Sequence, residues 1–299
     1  MQLARAATNI LHSLIDDTHN IVWNPTGSLL DCAFFELDFR YYLKPIQNPN
    51  FKNPSNSTAV TLSEPYYNDQ KYGLLVTGNI NDNSDQEAMV RHINKVLVLN
   101  MPRGNMKKED WMILGQRTRA ILKIFTSESI AKSWGFTENV ETIKYGVPLD
   151  ILTDEDITQT DDVLIHDTSM LGKQLAGQLQ QEGLKCELVN HFHTFEEFSN
   201  KVKKHKVFLT TTLNGNYEAL CGVACGANVI GTNSVTDTTP GIVIQNNGAE
   251  MIKTIKELLE NKQDVASNRK HLEENYNFDT FKTTVTDIFN KKIREAYIA

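Results

Sequence analysis

Residues 206–232 read KVFLTTTLNGNYEALCGVACGANVIGT. The run Val207-Phe208-Leu209 is short and apolar, which predicts a buried strand. Thr210 to Asn216 is polar, with Gly215 at the tip of a predicted turn. Glu218 to Ala224 has helical spacing and strong helix formers at its start. Gly226 stands where a helix C′ residue belongs, and Asn228 to Thr232 predicts a second strand. Strand, loop, short helix, strand is the repeating unit of a parallel α/β sheet.

The first backbone N–H groups of that helix would point out of the loop near Asn214–Tyr217. A helix N-terminus in that place is a ready anion site. Glu218 is the one acid in the first turn. It can accept two hydroxyl hydrogen bonds, as a ribose offers. It can also be an acid favoured there by the helix dipole, and local chemistry alone favours that second reading.

The same alternation extends in both directions. Upstream, strands are predicted at 20–24, 39–43, 72–76, 95–99, 121–125 and 142–145. Helices are predicted at 3–15, 28–35, 84–92, 110–120 and 129–134, and residues 45–57, rich in Pro and Asn, read as a loop. Downstream, strands fall at 163–165, 187–189 and 241–244. Helices fall at 171–181, 195–204 (capped by Thr194), 249–260, 263–276 and 281–297. Strands alternating with helices throughout predict an α/β fold with parallel sheets.

The chain has 299 residues, enough for two domains of roughly 150 residues each. A polar, acidic run at 151–161 reads as the linker between them. Within it Asp154-Glu155-Asp156 has the D-x-D form that can hold a metal–diphosphate. Such a motif should end a buried strand, and here a solvated linker is the better reading. A net charge of −7 argues against a surface coated for nucleic acid, while a local basic patch stays open. The four cysteines have no C-x-x-C spacing and read as reduced, buried small residues. With no apolar run of the ~18 residues a membrane span needs and no signal core, a cytoplasmic protein is expected. His191 and His193 would place two imidazoles on one strand face, but no third ligand has the spacing for a metal, so a loop pair is the better reading and no metal is expected. The lipase, P-loop, zincin and dinucleotide fingerprints are absent.

Taken together, Glu218-Ala219-Leu220-Cys221-Gly222-Val223-Ala224 and the strand after it resemble the nucleotide-sugar signature of GT-B glycosyltransferases. The resemblance is to the retaining, group 1 (family 4-like) members. Phe125-Thr126-Ser127 with the short helix after it, followed by Ile143-Lys144-Tyr145-Gly146-Val147-Pro148-Leu149-Asp150, resembles the end of that family's first domain. The resemblance implies two Rossmann-like domains with parallel sheets facing a central cleft. Residues 1–150 would form the acceptor-side domain and 151–299 the nucleotide-sugar domain, with the last helix, about 281–297, packing back on the first. It implies that Glu218 binds the donor ribose and that Asn214, Gly215, Asn216 and Tyr217 form the loop holding the diphosphate and sugar. Lys173 would supply a basic residue to the diphosphate, and Thr168 and Ser169 would add hydroxyl or amide donors. Asn100 or Arg103 would stand where the family often has a sugar-contacting His. The upstream acid of the family is replaced by Thr210, and the opening strand and Gly-rich loop are missing, so no catalytic base is assigned.

The implied activity is hexosyl or pentosyl transfer from a nucleotide sugar, UDP-glucose or a related UDP-sugar, to an acceptor hydroxyl. It would be metal-independent, retaining, and without a cofactor. The small first domain resembles bacteriophage members of the family, some of which glycosylate hydroxymethylated pyrimidines in DNA, which would place the protein in a host cytoplasm. Arg103, Lys107, Lys108, Arg117, Arg119 and Lys123, and then Lys201, Lys203, Lys204 and Lys206, are the basic segments that such DNA would need, although charge runs are more often solvated helix faces. Three alternatives stay open: a glycan- or metabolite-directed transferase, a UDP-sugar epimerase, and a non-catalytic nucleotide-sugar-binding protein.

Overall fold

The computed structural model describes residues 20–24, 32–34, 36–37, 40–43, 57–59, 74–77, 95–99, 122–125, 131, 139–167, 169–192, 194–211, 215–232, 239–261 and 264–298. The helices predicted at 3–15, 84–92 and 110–120 lie outside the described residues. So do Asn100, Arg103, Thr168 and Asn214. The chain divides into two compact units. One holds residues 1–26, 34–143 and 282–299, and the other holds 27–33 and 144–281.

The first unit contains a seven-stranded sheet of β1 (Asn20–Asn24), β2 (Arg40–Leu43), β3 (Ser57–Ala59), β4 (Leu74–Thr77), β5 (Lys95–Leu99), β6 (Leu122–Phe125) and β7 (Val140–Thr142). Its order is β3-β2-β1-β4-β5-β6-β7, and every pairing is parallel. This is a doubly wound order, in which the chain reverses direction across the sheet between β1 and β4. Two expectations need correction. The loop expected at 45–57 ends in an unpredicted edge strand, Ser57–Ala59, because three small residues give no apolar signal. The strand expected at 142–145 ends at Thr142. Ile143 and Tyr145 are apolar because they are buried by packing: the Tyr145 ring meets Tyr217 and Phe281 edge to face.

The second unit contains β8 (Asp161–His166), α1 (Met170–Gln181), β9 (Cys186–Val189), α2 (Phe195–Val202), β10 (His205–Thr210), α3 (Gly215–Ala224), β11 (Asn228–Gly231), β12 (Ile242–Ile244), α4 (Gly248–Glu260) and α5 (Val265–Asn275). The last helix, α6 (Phe278–Ile298), counts with this unit through Phe281 and with the first unit from Lys282 onward. The sheet runs β12-β11-β10-β8-β9, all parallel. The pleat sends Val163, Ile165, Val207, Leu209 and Ile230 to one face, where they bury Leu175, Ala176 and Leu179 of α1 and Met251 and Ile255 of α4. The opposite face carries His166 and Phe208, whose rings lie against Phe192 and, for Phe208, Phe198 of α2. Leaving out exceptions of context, each fully buried aliphatic or aromatic side chain contributes about 1.5–3 kcal/mol, so these two layers hold the unit together.

Residues 149–154 are not a free linker. Arg269 on α5 donates through Nη1 to the carbonyls of Leu152 and Ala224, both at 2.7 Å, and through Nη2 to that of Leu149 at 3.0 Å. Its Nε lies 3.3 Å from Asp154 Oδ1, and Leu152 is fully buried. One guanidinium fork thus ties the segment to the end of α3, which composition could not show. Asp154, the first acid of the D-x-D run, is in an ion pair, and no group of three or more metal-ligating side chains occurs among the described residues.

Candidate functional site

In the second unit β8 is the first strand, with β9 on one side and β10 on the other. The connections therefore leave in opposite directions at the carboxyl ends of β8 and β10. That switch point opens a crevice, and it is where ligands bind in sheets of this kind. His166 and Thr210, the last residues of the two strands, stand level in the register. The loops that follow lead into α1 and α3, whose N-termini both start at this edge.

On the β10 side, the helix begins at Gly215, so Gly215 and Asn216 are its first residues and not the tip of a turn. Tyr217 is buried and donates its hydroxyl to the Gly146 carbonyl at 2.8 Å. Its phenol is thus already engaged, and what it brings to the start of α3 is its backbone N–H. Glu218 lies in the first turn and is 1% exposed. Burial pushes the Tyr217 hydroxyl and the Cys221 thiol well above their usual range, and the Glu218 carboxylate adds to both shifts. Thr210, eight residues before Glu218, is buried at the end of β10.

The glycine of the motif has a packing reason. A Cβ on Gly222 would lie 2.7 Å from the Phe208 ring and 3.1 Å from Val229 Cγ2, so only glycine lets α3 approach the sheet this closely. The small residues Ala219, Cys221, Ala224 and Cys225 are all buried around it. Gly226 has φ +78°. The Ala227 N–H reaches the Gly222 carbonyl at 3.2 Å and the Gly226 N–H reaches that of Val223 at 3.0 Å, a Schellman cap with Gly226 at the C′ position that the sequence predicted.

On the β8 side, α1 has no side-chain N-cap bond and no acid in its first turn, an arrangement that leaves its amide donors and dipole to an anion. Lys173, one turn in, is exposed and has no acidic partner among the described residues. Sequence reasoning gave Asp167 no role, yet it organises this wall. Its Oδ1 accepts from the Ser169 N–H at 2.7 Å, and its Oδ2 accepts from the hydroxyl of Thr211, the residue after β10. Burial pushes the Asp167 carboxyl up, but the hydrogen bonds from Thr211 and Ser169 outweigh it and hold the group below its usual value. The available signal was Asp-x-Ser between a strand and a helix, an Asx-turn pattern.

His166 was also missed. It is 5% exposed, with Nε2 3.1 Å from the Asn190 carbonyl. A carbonyl only accepts, so Nε2 carries the proton and Nδ1 is the acceptor nitrogen. Nδ1 is buried without a hydrogen-bond partner. Burial lowers its pKa to about 4, so the ring is neutral near pH 7. β9 ends at Val189, so His191 lies beyond the strand, in the loop where the sequence put it, and is exposed, while His193 lies outside the described residues.

The lysines at 201–206 sit at the other end of the sheet, near the starts of β8 and β10. Lys201 meets Glu187 at 2.5 Å and Lys206 meets Asp162 at 3.4 Å. Lys203 donates to Thr153 at 2.8 Å. Of the 103–123 basic segment, only the backbone of residues 122–123 is described.

No family model matches the chain, and no curated protein matches it. Solved structures do. A glycosyltransferase from Rickettsia africae ESF-5 aligns at a TM-score of 0.62 with 10% identity, over 93% of this chain and 99% of that one. An α,α-trehalose-phosphate synthase (UDP-forming) from Burkholderia vietnamiensis aligns at 0.57 with 10% identity, over 94% and 99%. The UDP-GlcNAc 2-epimerase of Methanocaldococcus jannaschii, solved in complex with UDP-GlcNAc and UDP, aligns at 0.51 with 12% identity, over 85% and 97%. The fold is GT-B, made of two parallel-sheet α/β units.

Proposed function

We propose that the chain transfers a sugar from a nucleotide sugar, a UDP-sugar, to an acceptor hydroxyl. The observation that carries this reading is the crevice at the carboxyl ends of β8 and β10, onto which α1 and α3 both open, with Glu218 in the first turn of α3 and Lys173 near the start of α1. In this reading Glu218 accepts the two ribose hydroxyls, while the first amides of α3 and α1, with Lys173, hold the diphosphate. As the bond from the sugar's anomeric carbon to the diphosphate breaks, its electron pair leaves with UDP, the acceptor oxygen bonds to that carbon, and the acceptor proton passes to the departing diphosphate oxygen and from there to water. Amides fixed at helix starts stabilise the departing charge without reorganising, as preorganised electrostatics. A metal-independent, retaining reaction belongs to the same reading. It fits an Asp154 that is already paired with Arg269.

The test is binding followed by turnover. UDP should raise the melting temperature, since a ligand at a hundred times its Kd stabilises the folded form by about 2.7 kcal/mol. EDTA should change neither binding nor turnover. Glu218→Gln should weaken UDP binding by about 1–3 kcal/mol through loss of charge-assisted hydrogen bonds. If that variant binds UDP as the wild type does and only melts earlier, Glu218 is a helix-start acid and the donor site lies elsewhere. The epimerase alternative keeps the same donor site, and its fold likeness is seen above. Incubation with UDP-GlcNAc alone separates the two, because an epimerase changes the sugar without an acceptor. For the transferase, the acceptors to offer are free glycans and small metabolites beside plain and hydroxymethylated DNA.

A further inference from the structure

We infer that Asp167 is a positioning residue: with Thr211 it forms a clasp that sets the separation of the two crevice walls. This inference rests on the donor-site reading above and names what holds that site in shape.

Asp167 touches both walls at once. Its backbone carbonyl lies under the first turn of α1 so closely that a Cβ on Gly172 would fall 2.0 Å from that oxygen. Its Oδ1 fixes the Ser169 N–H, the N-cap of α1. Its Oδ2 crosses to the hydroxyl of Thr211, which begins the loop into α3. No ladder bond can do this, because the strand pairing stops at Thr210 and His166. Beyond that rung, the Asp167–Thr211 contact is a side-chain link between the two loops. A buried, charged acceptor with two donors on it is rigid, since losing either donor leaves a desolvated carboxylate oxygen. Two helix N-termini must face one diphosphate at fixed spacing to act as preorganised donors, and misplacement by about an ångström is costly in such sites.

The chemistry of the clasp also predicts which changes it tolerates. Asn at 167 keeps an acceptor for Ser169 and gives Thr211 a donor to accept from, so Asp167→Asn should preserve the link. Thr211→Ser keeps the hydroxyl. Thr211→Val keeps the shape and removes the bond.

The experiment measures UDP affinity by calorimetry and amide hydrogen exchange across 170–172 and 215–218, in the full chain. Asp264→Ala serves as a control, since it removes the α5 cap bond to the Ser267 N–H beside Val265, which packs near Gly226 at the opposite end of α3 from the crevice. Thr211→Val is expected to weaken UDP binding about tenfold, the size of one charge-assisted hydrogen bond, and to speed exchange at 215–218. Thr211→Ser should restore both. Asp264→Ala should lower the melting temperature and leave UDP affinity unchanged. If Thr211→Val leaves exchange at 215–218 as in the wild type, there is no clasp. If exchange speeds up but affinity holds, the link is structural only and the positioning role is overturned. If the wild type does not bind UDP, the donor reading falls by itself, and the exchange of Thr211→Val alone then decides whether the loops are clasped.

Discussion

The two ends of the second sheet handle charge in opposite ways. At the amino end, where β8 and β10 begin, cations and anions are paired: Lys206 with Asp162, Lys185 with Asp161 at 3.7 Å, and Lys201 with Glu187. At the carboxyl end, Lys173 has no acidic partner among the described residues, and α1 carries neither a cap bond nor an acid in its first turn. The one carboxylate between the loops, Asp167, is held by hydrogen bonds and not by a cation. Exposed ion pairs add little stability, but they do consume charge. A count of lysines along the sequence points to residues 201–206, while the unspent donors lie where the sheet topology puts a ligand.

The largest expected break of this contrast is Gly172→Ala. Its new Cβ would meet backbone, 2.0 Å from the Asp167 carbonyl oxygen, and a backbone cannot rotate away. The first turn of α1 must shift, at about 3 kcal/mol of stability, the upper part of the usual range for overpacking. Gly177→Ala, on the same helix with nothing within 4 Å of its Cβ, should instead stabilise by about 0.5–1 kcal/mol, the helix-propensity difference. Urea midpoints of the two variants check both signs. Equal effects would mean that α1 is not seated on Asp167.

His166 gives the next effect, and it reads the carboxyl end by pH. Its folded pKa of about 4 lies below the ordinary 6.5. Between those values the unfolded chain binds a proton that the folded chain refuses, so stability must fall as pH drops from 6.5 toward 4. A shift of that size corresponds to about 3 kcal/mol at its full extent. His191, Asp167 and the Asn190 carbonyl are the charged and polar groups that act on the ring besides its burial. Asp167, with its own carboxyl held low, loses stability in acid too, at lower pH. The variant His166→Phe, placed among Phe192 and Phe208, should flatten the pH 4–6.5 slope of the urea midpoint. An unchanged slope would assign the acid sensitivity to other groups.

Fold and site were not equally legible. Apolar runs such as 95–99 and 207–209 announce their strands because a parallel sheet buries both faces. The Glu218 motif was legible because its glycine and small residues are fixed by local helix–sheet packing, which is a matter of spacing. Asp167, Thr211 and His166 were not, because each acts through a partner distant in sequence. The Asp167–Thr211 contact spans 44 positions and the His166–Asn190 contact 24. Arg269 is the extreme case, with a carbonyl partner 120 positions away. A segment read as a solvated linker turns out pinned, because its polar composition says nothing about a guanidinium arriving from α5.

The smallest expected effects test the contrast most directly, because they compare one lysine with another. Lys173→Ala should cost roughly three- to tenfold in UDP affinity, as one exposed charge on a diphosphate does, with stability almost unchanged. Added salt should narrow the difference between wild type and variant, since screening acts on exposed charges. Lys201→Ala and Lys206→Ala remove side chains already bound to Glu187 and Asp162. Each should change stability by no more than about 0.5–1 kcal/mol, as surface pairs do, and UDP affinity not at all. A phosphate backbone lying on these lysines would make binding to DNA fall steeply with salt, and would make the double variant less salt-sensitive. If titrations of the double variant against a DNA duplex at several salt concentrations give a smaller slope than the wild type, the amino end does meet a polyanion. Equal slopes would leave its lysines as paired surface charge, and any polyanionic acceptor would have to be held by other residues.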